Sequence, residues 1–497
     1  MRRVPLVLAV AVATGLASVA GVVACRGGGP PTKGTGEVAL ETWKDFFRPP
    51  NDRIPSKWAT NPGTPWGDYV GSRACEACHT QAYAGWRDSF HSRTLYDVVP
   101  QTVFGDYSGA TTYTSDEHPF TVVPQRLDDR FVMRIQRNPA AQGREDTYGA
   151  GVPAEATGVF EVLYAFGNRR HQPYVTKTKD GRHWVLPVYW NDVKHEWMWD
   201  GWRPYVTSCA HCHVTGIRST SRQGRREDEL PFTGPVRWNV APQDEGWAEG
   251  SVGCELCHGP GKGHLDAVAR MGDDGYRTYL AGGGAATIYN PARDTAQRRM
   301  QQCDQCHNFF TESQVTWVPK PDGYGRDPYF RRVRPDEGQF YEDGTDMSPC
   351  TVGHTFRESG MGKKGLECRD CHDAHGNPSW AEVKRPVEGN ALCLHCHRED
   401  ASRRFADDAA VARHTRHRLD GPGSLCVECH MPRDKHFTNG IQLMSAKLPS
   451  HAFTSPTGRE ADDGGPPATC NFCHVDRDGP WTRKVLEAWK AGTTPPR

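Results

Sequence analysis

The sequence predicts a mainly α and irregular chain, packed around prosthetic groups and interrupted by an inserted antiparallel β-subdomain. Three observations carry this. The pattern Cys-x-x-Cys-His occurs eight times. Apolar residues make up 37% of the chain and the mean hydropathy is −0.69, low for 497 residues that must bury a core. Between His79 and Cys209 the pattern is absent, and alternating strand-forming residues take its place.

The first motif is Cys75–Cys78–His79. It recurs as Cys209–Cys212–His213, Cys254–Cys257–His258, Cys303–Cys306–His307, Cys368–Cys371–His372, Cys393–Cys396–His397, Cys426–Cys429–His430 and Cys470–Cys473–His474. Chance placement of 18 Cys and 22 His would yield about 0.03 occurrences. Two thiols at this spacing add across the two vinyl groups of one porphyrin, and the adjacent imidazole is carried under the iron, which is the pattern of c-type haem attachment. Zinc is poorly served, because neighbouring residues rarely supply two corners of its tetrahedron. The expectation is therefore eight covalently attached haem c groups, with the eight motif histidines as iron ligands. A haem-packed fold also accounts for the low hydropathy, since each porphyrin brings an apolar disc that the polypeptide need not supply.

Residues 1–24 have a basic start (Arg2, Arg3), an apolar core and small residues, and read as a secretory signal. Val22-Val23-Ala24-Cys25 resembles the bacterial lipoprotein processing box, in which Cys25 is acylated and becomes the mature N-terminus. An ordinary signal or a retained membrane span are the alternatives. Either route exports the chain across the inner membrane; the lipoprotein reading makes it a periplasmic or outer-membrane protein held by a lipid anchor. Residues 25–65 begin with the Gly/Pro-rich "RGGGPPTKGTGE" and read as a flexible linker. Residues 66–101 form the first haem module.

Residues 102–205 read as the β-rich insert. In "RFVMRIQRN", Phe131, Met133 and Ile135 alternate with Val132, Arg134 and Gln136. Asp180-Gly181 in "TKDGRH" is a hairpin turn signal. Residues 206–474 hold seven motifs at intervals with room for a helix, a turn and a haem. Residues 475–497 carry Trp481, Val485, Leu486 and Trp489 at helical spacing and predict one packed terminal helix. Sixty basic and 60 acidic residues cancel, so no nucleic-acid partner is expected.

The second axial position on each iron decides between conduction and chemistry. Fourteen histidines lie outside the motif ends. His211 and His395 sit between their own motif cysteines, where a short loop cannot reach the distal face of its own haem. That leaves twelve for eight positions. His91, His264, His354, His375, His414, His417 and His451 follow or precede motifs at ligand-like positions; for each the alternative is a solvated surface histidine. His118 and His436 are undecided, and His171, His183 and His195 in the insert read as structural. Cys350 is left over by the motifs. It reads as a small buried thiol, with an intermolecular disulfide or an iron ligand as alternatives.

"YVGSRACEACHTQAYAGWRDSFHSRTL" resembles the opening module of multihaem cytochromes of the cytochrome c-554 type. "GLECRDCHDAHG" followed by "LCLHCH" resembles paired-motif haem modules, and "CVECHMP" resembles a segment of the octahaem oxidoreductases. The resemblance spans most of residues 68–475. It implies closely stacked haems with His91, His264, His375, His414 and His451 as distal ligands. No Cys-x-x-Cys-Lys occurs, and only a short tail follows His474, both departures from the enzymes of that superfamily. The reading that follows is an octahaem c-type cytochrome passing electrons along mostly bis-histidine haems in a respiratory chain, between donor and acceptor proteins. The alternative is an octahaem reductase or oxidase of small nitrogen or sulfur compounds with one open haem. A third reading, a haem-bearing scaffold whose β-insert docks a partner, is compatible with the first.

Overall fold

The computed structural model describes residues 58, 60–141, 152–167, 171–192, 194–219, 237–238, 241–308, 340–341, 344–345, 351–377, 379–399, 404–431, 449–458 and 468–493. Cys25 with the signal and most of the linker, Cys350 and His436 lie outside the described residues.

Short helices and small, mostly antiparallel sheets alternate along the chain. In the insert, Phe120–Leu127 and Arg130–Arg137 form a hairpin to which Gly158–Glu161 adds a third antiparallel strand. Phe131, Met133 and Ile135 are buried on one face of it, and Val132 is buried as well. A five-stranded antiparallel sheet runs in the spatial order Leu95–Asp97, Tyr164–Phe166, Tyr174–Lys177, His183–Val185, Arg203–Pro204. Its central hairpin turns at Asp180-Gly181, where Gly181 has φ +91° and its N–H donates to the Thr178 carbonyl. A third sheet joins Glu196–Trp199, Val188–Asn191 and His171–Gln172. These elements close on an aromatic core that includes Phe120, Tyr174, Trp184, Trp197 and Trp202.

Strands also occur outside 102–205. Thr215–Ser219 pairs antiparallel with Gly246–Glu249 and parallel with Arg237–Trp238, so the β-layer continues past the second motif. A second core, with Phe166, Tyr205, Ala210 and Trp247, buries the second motif against the sheets. Two buried carboxylates tie the first module to the third. Glu255 accepts N–H groups of Val70, Gly71 and Gly261 at 2.7–2.9 Å, and Glu249 accepts the Ser72 hydroxyl at 2.7 Å. The terminal helix Gly479–Ala491 is N-capped by Asp478 and buries Val485, with the Trp481 ring 5.1 Å from the His474 ring and tilted against it. Among the described residues no helix is long and apolar enough to cross a membrane.

Candidate haem-binding sites

Each motif sits on a single helical turn or at its end, for example Cys254–His258 and Cys426–His430. Residues three and four apart share one helix face, so both thiols and the imidazole point the same way. The backbone N–H of His79, His372 and His474 each donates to the carbonyl of its first cysteine at 2.9 Å, which fixes that turn. Seven of the eight motifs, all but Cys470–Cys473–His474, line one continuous cavity of about 3220 Å³. An ordinary small-molecule pocket holds roughly 300–1,000 Å³, so this space suits several porphyrins side by side. Among the described residues no three His, Cys, Asp or Glu side chains converge as a metal site of their own.

The distal candidates fall into place as pairs. His79 faces His264 with ring centroids 6.4 Å apart, His91 faces His307 at 6.5 Å, and His258 faces His375 at 6.2 Å. His372 faces His451 at 6.3 Å, His430 faces His414 at 6.0 Å, and His474 faces His417 at 6.4 Å. All six pairs join one motif histidine to one non-motif histidine, and no hydrogen bond links the rings of any pair. An imidazole nitrogen sits roughly 2 Å from a metal it ligates and about 1 Å from its own ring centre, so two imidazoles on one iron hold their centroids about 6 Å apart. The six separations match that spacing.

The opposite nitrogens are held by acceptors. His258 Nδ1 donates to the Tyr289 carbonyl (2.9 Å), His372 to Ala381 (2.7 Å), His430 to Thr454 (3.0 Å), His417 to Thr415 (2.6 Å) and His451 to Pro449 (3.2 Å). A donated Nδ1–H leaves Nε2 as the free lone pair and fixes the ring's orientation, which is how ligating histidines are held. Burial pushes His307 down to about 4 and His451 down to about 3, so both rings are neutral at pH 7 and available as ligands. Gly423 is needed beside one pair, because a Cβ there would lie 2.5 Å from the His417 ring.

In five of the six pairs at least one other motif lies between the two partners along the chain, and His414 directly precedes the motif it faces. His91, after the first motif, serves the side of His307; His264, after the third, faces back to His79; His375, after the fifth, faces His258. Of the seven distal candidates only His354 is absent from the pairs: it is buried with its ring 4.8 Å from Phe340. His211 is also buried, while His395 Nε2 lies 3.4 Å from Arg385 at the surface. The insert histidines have neighbours of their own. His118 stacks on Trp199 at 4.6 Å, His171 lies edge-on to Tyr189 at 6.0 Å, His183 lies 3.8 Å from Glu245, and His195 is 6.4 Å from Trp190.

Cysteines of different motifs lie side by side, not always in chain order. Hydrogen-bonded thiol pairs are Cys75 with Cys254, Cys212 with Cys306, Cys303 with Cys368, and Cys393 with Cys426. Cys257 neighbours Cys306, Cys371 neighbours Cys396, and Cys429 neighbours Cys470. Side-chain hydrogen bonds agree: Gln302 Nε2 donates to the Cys257 carbonyl at 2.8 Å, and the Arg299 guanidinium donates to the Glu367 carboxylate in two bonds of 2.7 and 2.6 Å. These adjacencies were invisible in the sequence, where only spacing along the chain could be read.

The family model for the doubled CXXCH motif matches residues 361–402, which hold the fifth and sixth motifs, and this motif indicates covalently bound haem c. The crystal structure of the outer cell wall cytochrome OcwA is similar to this chain with a TM-score of 0.51 and 17% identity, over 86% of this chain and 88% of that one. Both findings support a multihaem c-type cytochrome. None of the curated proteins matches this chain. The likeness to OcwA extends well beyond the doubled motif, so the fold of this chain, helices with several small antiparallel sheets, is shared over most of both chains.

Proposed function

We propose that this cytochrome is an exported octahaem electron carrier. Its eight motifs would hold eight haems, most with two imidazoles on the iron, in a respiratory chain between protein donors and acceptors. The observation that carries this reading is the set of six facing histidine pairs with centroids 6.0–6.5 Å apart. An iron with both axial positions filled by imidazole has no place for substrate, and its potential lies lower than with a Met/His pair. This chain's residues then hold porphyrins edge to edge, fix the axial rings through carbonyl acceptors and exclude water. The chain of touching cysteines supports a conducting order of motifs one, three, four, five, six, seven and eight.

Export and a lipid anchor at Cys25 belong to the same reading, supported by the N-terminal signal and by likeness to a protein described as an outer cell wall cytochrome. Denaturing mass measurement of the mature chain tests the count. Eight haem masses are expected. Fewer than eight, or release of haem into acidic organic solvent, would overturn it.

A further inference from the structure

Arg404 stands between the sixth and seventh haem sites. Its neighbour Phe405 ties the two together: the Phe405 N–H donates to the carbonyl of His397, the sixth motif's histidine, at 3.1 Å. The Phe405 ring lies 5.1 Å from that of His414, which faces His430 of the seventh motif. The Arg404 guanidinium is 6.0 Å from the Phe405 ring, and both Arg404 and Lys364 line the cavity that the motifs share. One short segment thus brings a cation to two neighbouring sites.

Other cations of the cavity are matched by acids. Arg203 pairs with Asp200, Arg277 with Asp273 at 3.0 Å, and Arg299 with Glu367 at 2.6 Å. Among the described residues neither Arg404 nor Lys364 makes an ion pair with a carboxylate. The charge reaches the ligands. Burial first, then Arg404 and Lys364, push His397 below its ordinary value; at His414 and His430, where burial again leads, Arg404 acts in the same direction. The fourth site is the opposite case, because the buried Glu382 carboxylate stands 3.5 Å from His91 Nδ1. A fixed positive charge favours the iron that has gained an electron, and a fixed negative charge favours the iron that has lost one. A porphyrin filling the cavity displaces water, so both charges are screened less than at an open surface.

We propose that Arg404 holds the sixth and seventh haems at higher potential than the fourth, so that electrons at the fourth run downhill to this end of the chain. The inference rests on the relay reading and gives the relay a direction, which the order of contacts alone does not.

The test is potentiometric titration of the full, haem-loaded chain, followed by electron paramagnetic resonance. Nearly parallel axial imidazoles give a rhombic low-spin signal, and nearly perpendicular ones give a signal at large g. The ring planes lie 7° apart at His414–His430 and 71° apart at His91–His307, the widest angle of the six pairs. In the unmodified chain a rhombic signal should therefore be lost on reduction at higher potential than the large-g signal. Loss of the large-g signal first would overturn the inference, and this measurement needs no variant. In Arg404→Gln that rhombic signal should be lost at lower potential while the large-g signal stays where it was, and Arg404→Lys, which keeps the charge, should restore most of the shift. A rhombic signal unmoved in Arg404→Gln, or moved equally in Arg404→Lys, would also overturn it. An unmodified chain whose haems are mostly high-spin would instead contradict the relay reading itself.

Discussion

His91 faces His307 across a 6.5 Å centroid separation, with the two ring planes at 71° and the Glu382 carboxylate 3.5 Å behind His91 Nδ1. A residue of the first module thus stands opposite the motif histidine of the fourth. Glu382 also accepts the Phe90 N–H at 2.8 Å and is itself buried, so the ring is positioned from both its backbone and its side chain. His91→Ala should convert one low-spin haem to high-spin without loss of covalent haem, read by electron paramagnetic resonance. His91→Met should raise that haem's potential by a fraction of the roughly 0.8 V that axial ligands span.

Glu382→Gln keeps the shape but removes the charge behind the imidazole. An anionic partner makes a ligating histidine more electron-donating and favours the oxidised iron. The potential of the His91–His307 haem should therefore rise in potentiometric titration, with the other haems unmoved.

Gly85 lies on the helix Thr80–Asp88, and a Cβ there would fall 2.6 Å from the Gly376 carbonyl oxygen and 3.2 Å from that of His375. Both obstacles are backbone and cannot swing away. Gly85→Ala gains about 1 kcal/mol of helix propensity, but should lose about 1–3 kcal/mol to overpacking. Because His375 faces His258, thermal melting should fall together with the low-spin signal of the third haem.

The two-bond contact between Arg299 and Glu367 fastens the fourth motif's helix to the fifth motif, with Arg369 at 3.2 Å on the same carboxylate. Hydrogen bonds and charge from Arg299 hold the Glu367 carboxyl below its ordinary value. A depressed acid contributes stability that is complete above the unfolded-state value near 4.5 and is lost as pH falls through the folded value. Denaturant melts should show Glu367→Gln less stable than the parent at pH 7, by about 1–3 kcal/mol. The gap should narrow at pH values below about 4.

Cys25→Ser tests the anchor. The precursor should remain uncleaved by the lipoprotein peptidase and lack diacylglycerol by mass; unchanged processing would point to an ordinary signal.

Much of this was legible in the residues. The eight motifs, the hairpin at Asp180-Gly181, the alternation of Phe131, Met133 and Ile135, and the terminal helix are local patterns whose spacing fixes their geometry. The β-layer beyond residue 205 was missed because Thr215–Ser219 is short and its partner Gly246–Glu249 lies far along the chain. Which distal histidine serves which motif was not legible either. His264 pairs backwards with His79 and His91 forwards with His307, and no sequence signal encodes such exchange between modules. His354 had the same local credentials as His375, yet packing against Phe340 decides its place. The carbonyls that fix the rings, such as those of Tyr289 and Ala381, carry no side-chain signature at all.

The pairing of histidines across modules is the centre of this account, and quantitative electron paramagnetic resonance of the fully oxidised, fully loaded chain tests it most directly. The six pairs predict at least six low-spin bis-imidazole haems per chain, with at most a minor high-spin component. A spectrum in which high-spin haem accounts for most of the iron would contradict it.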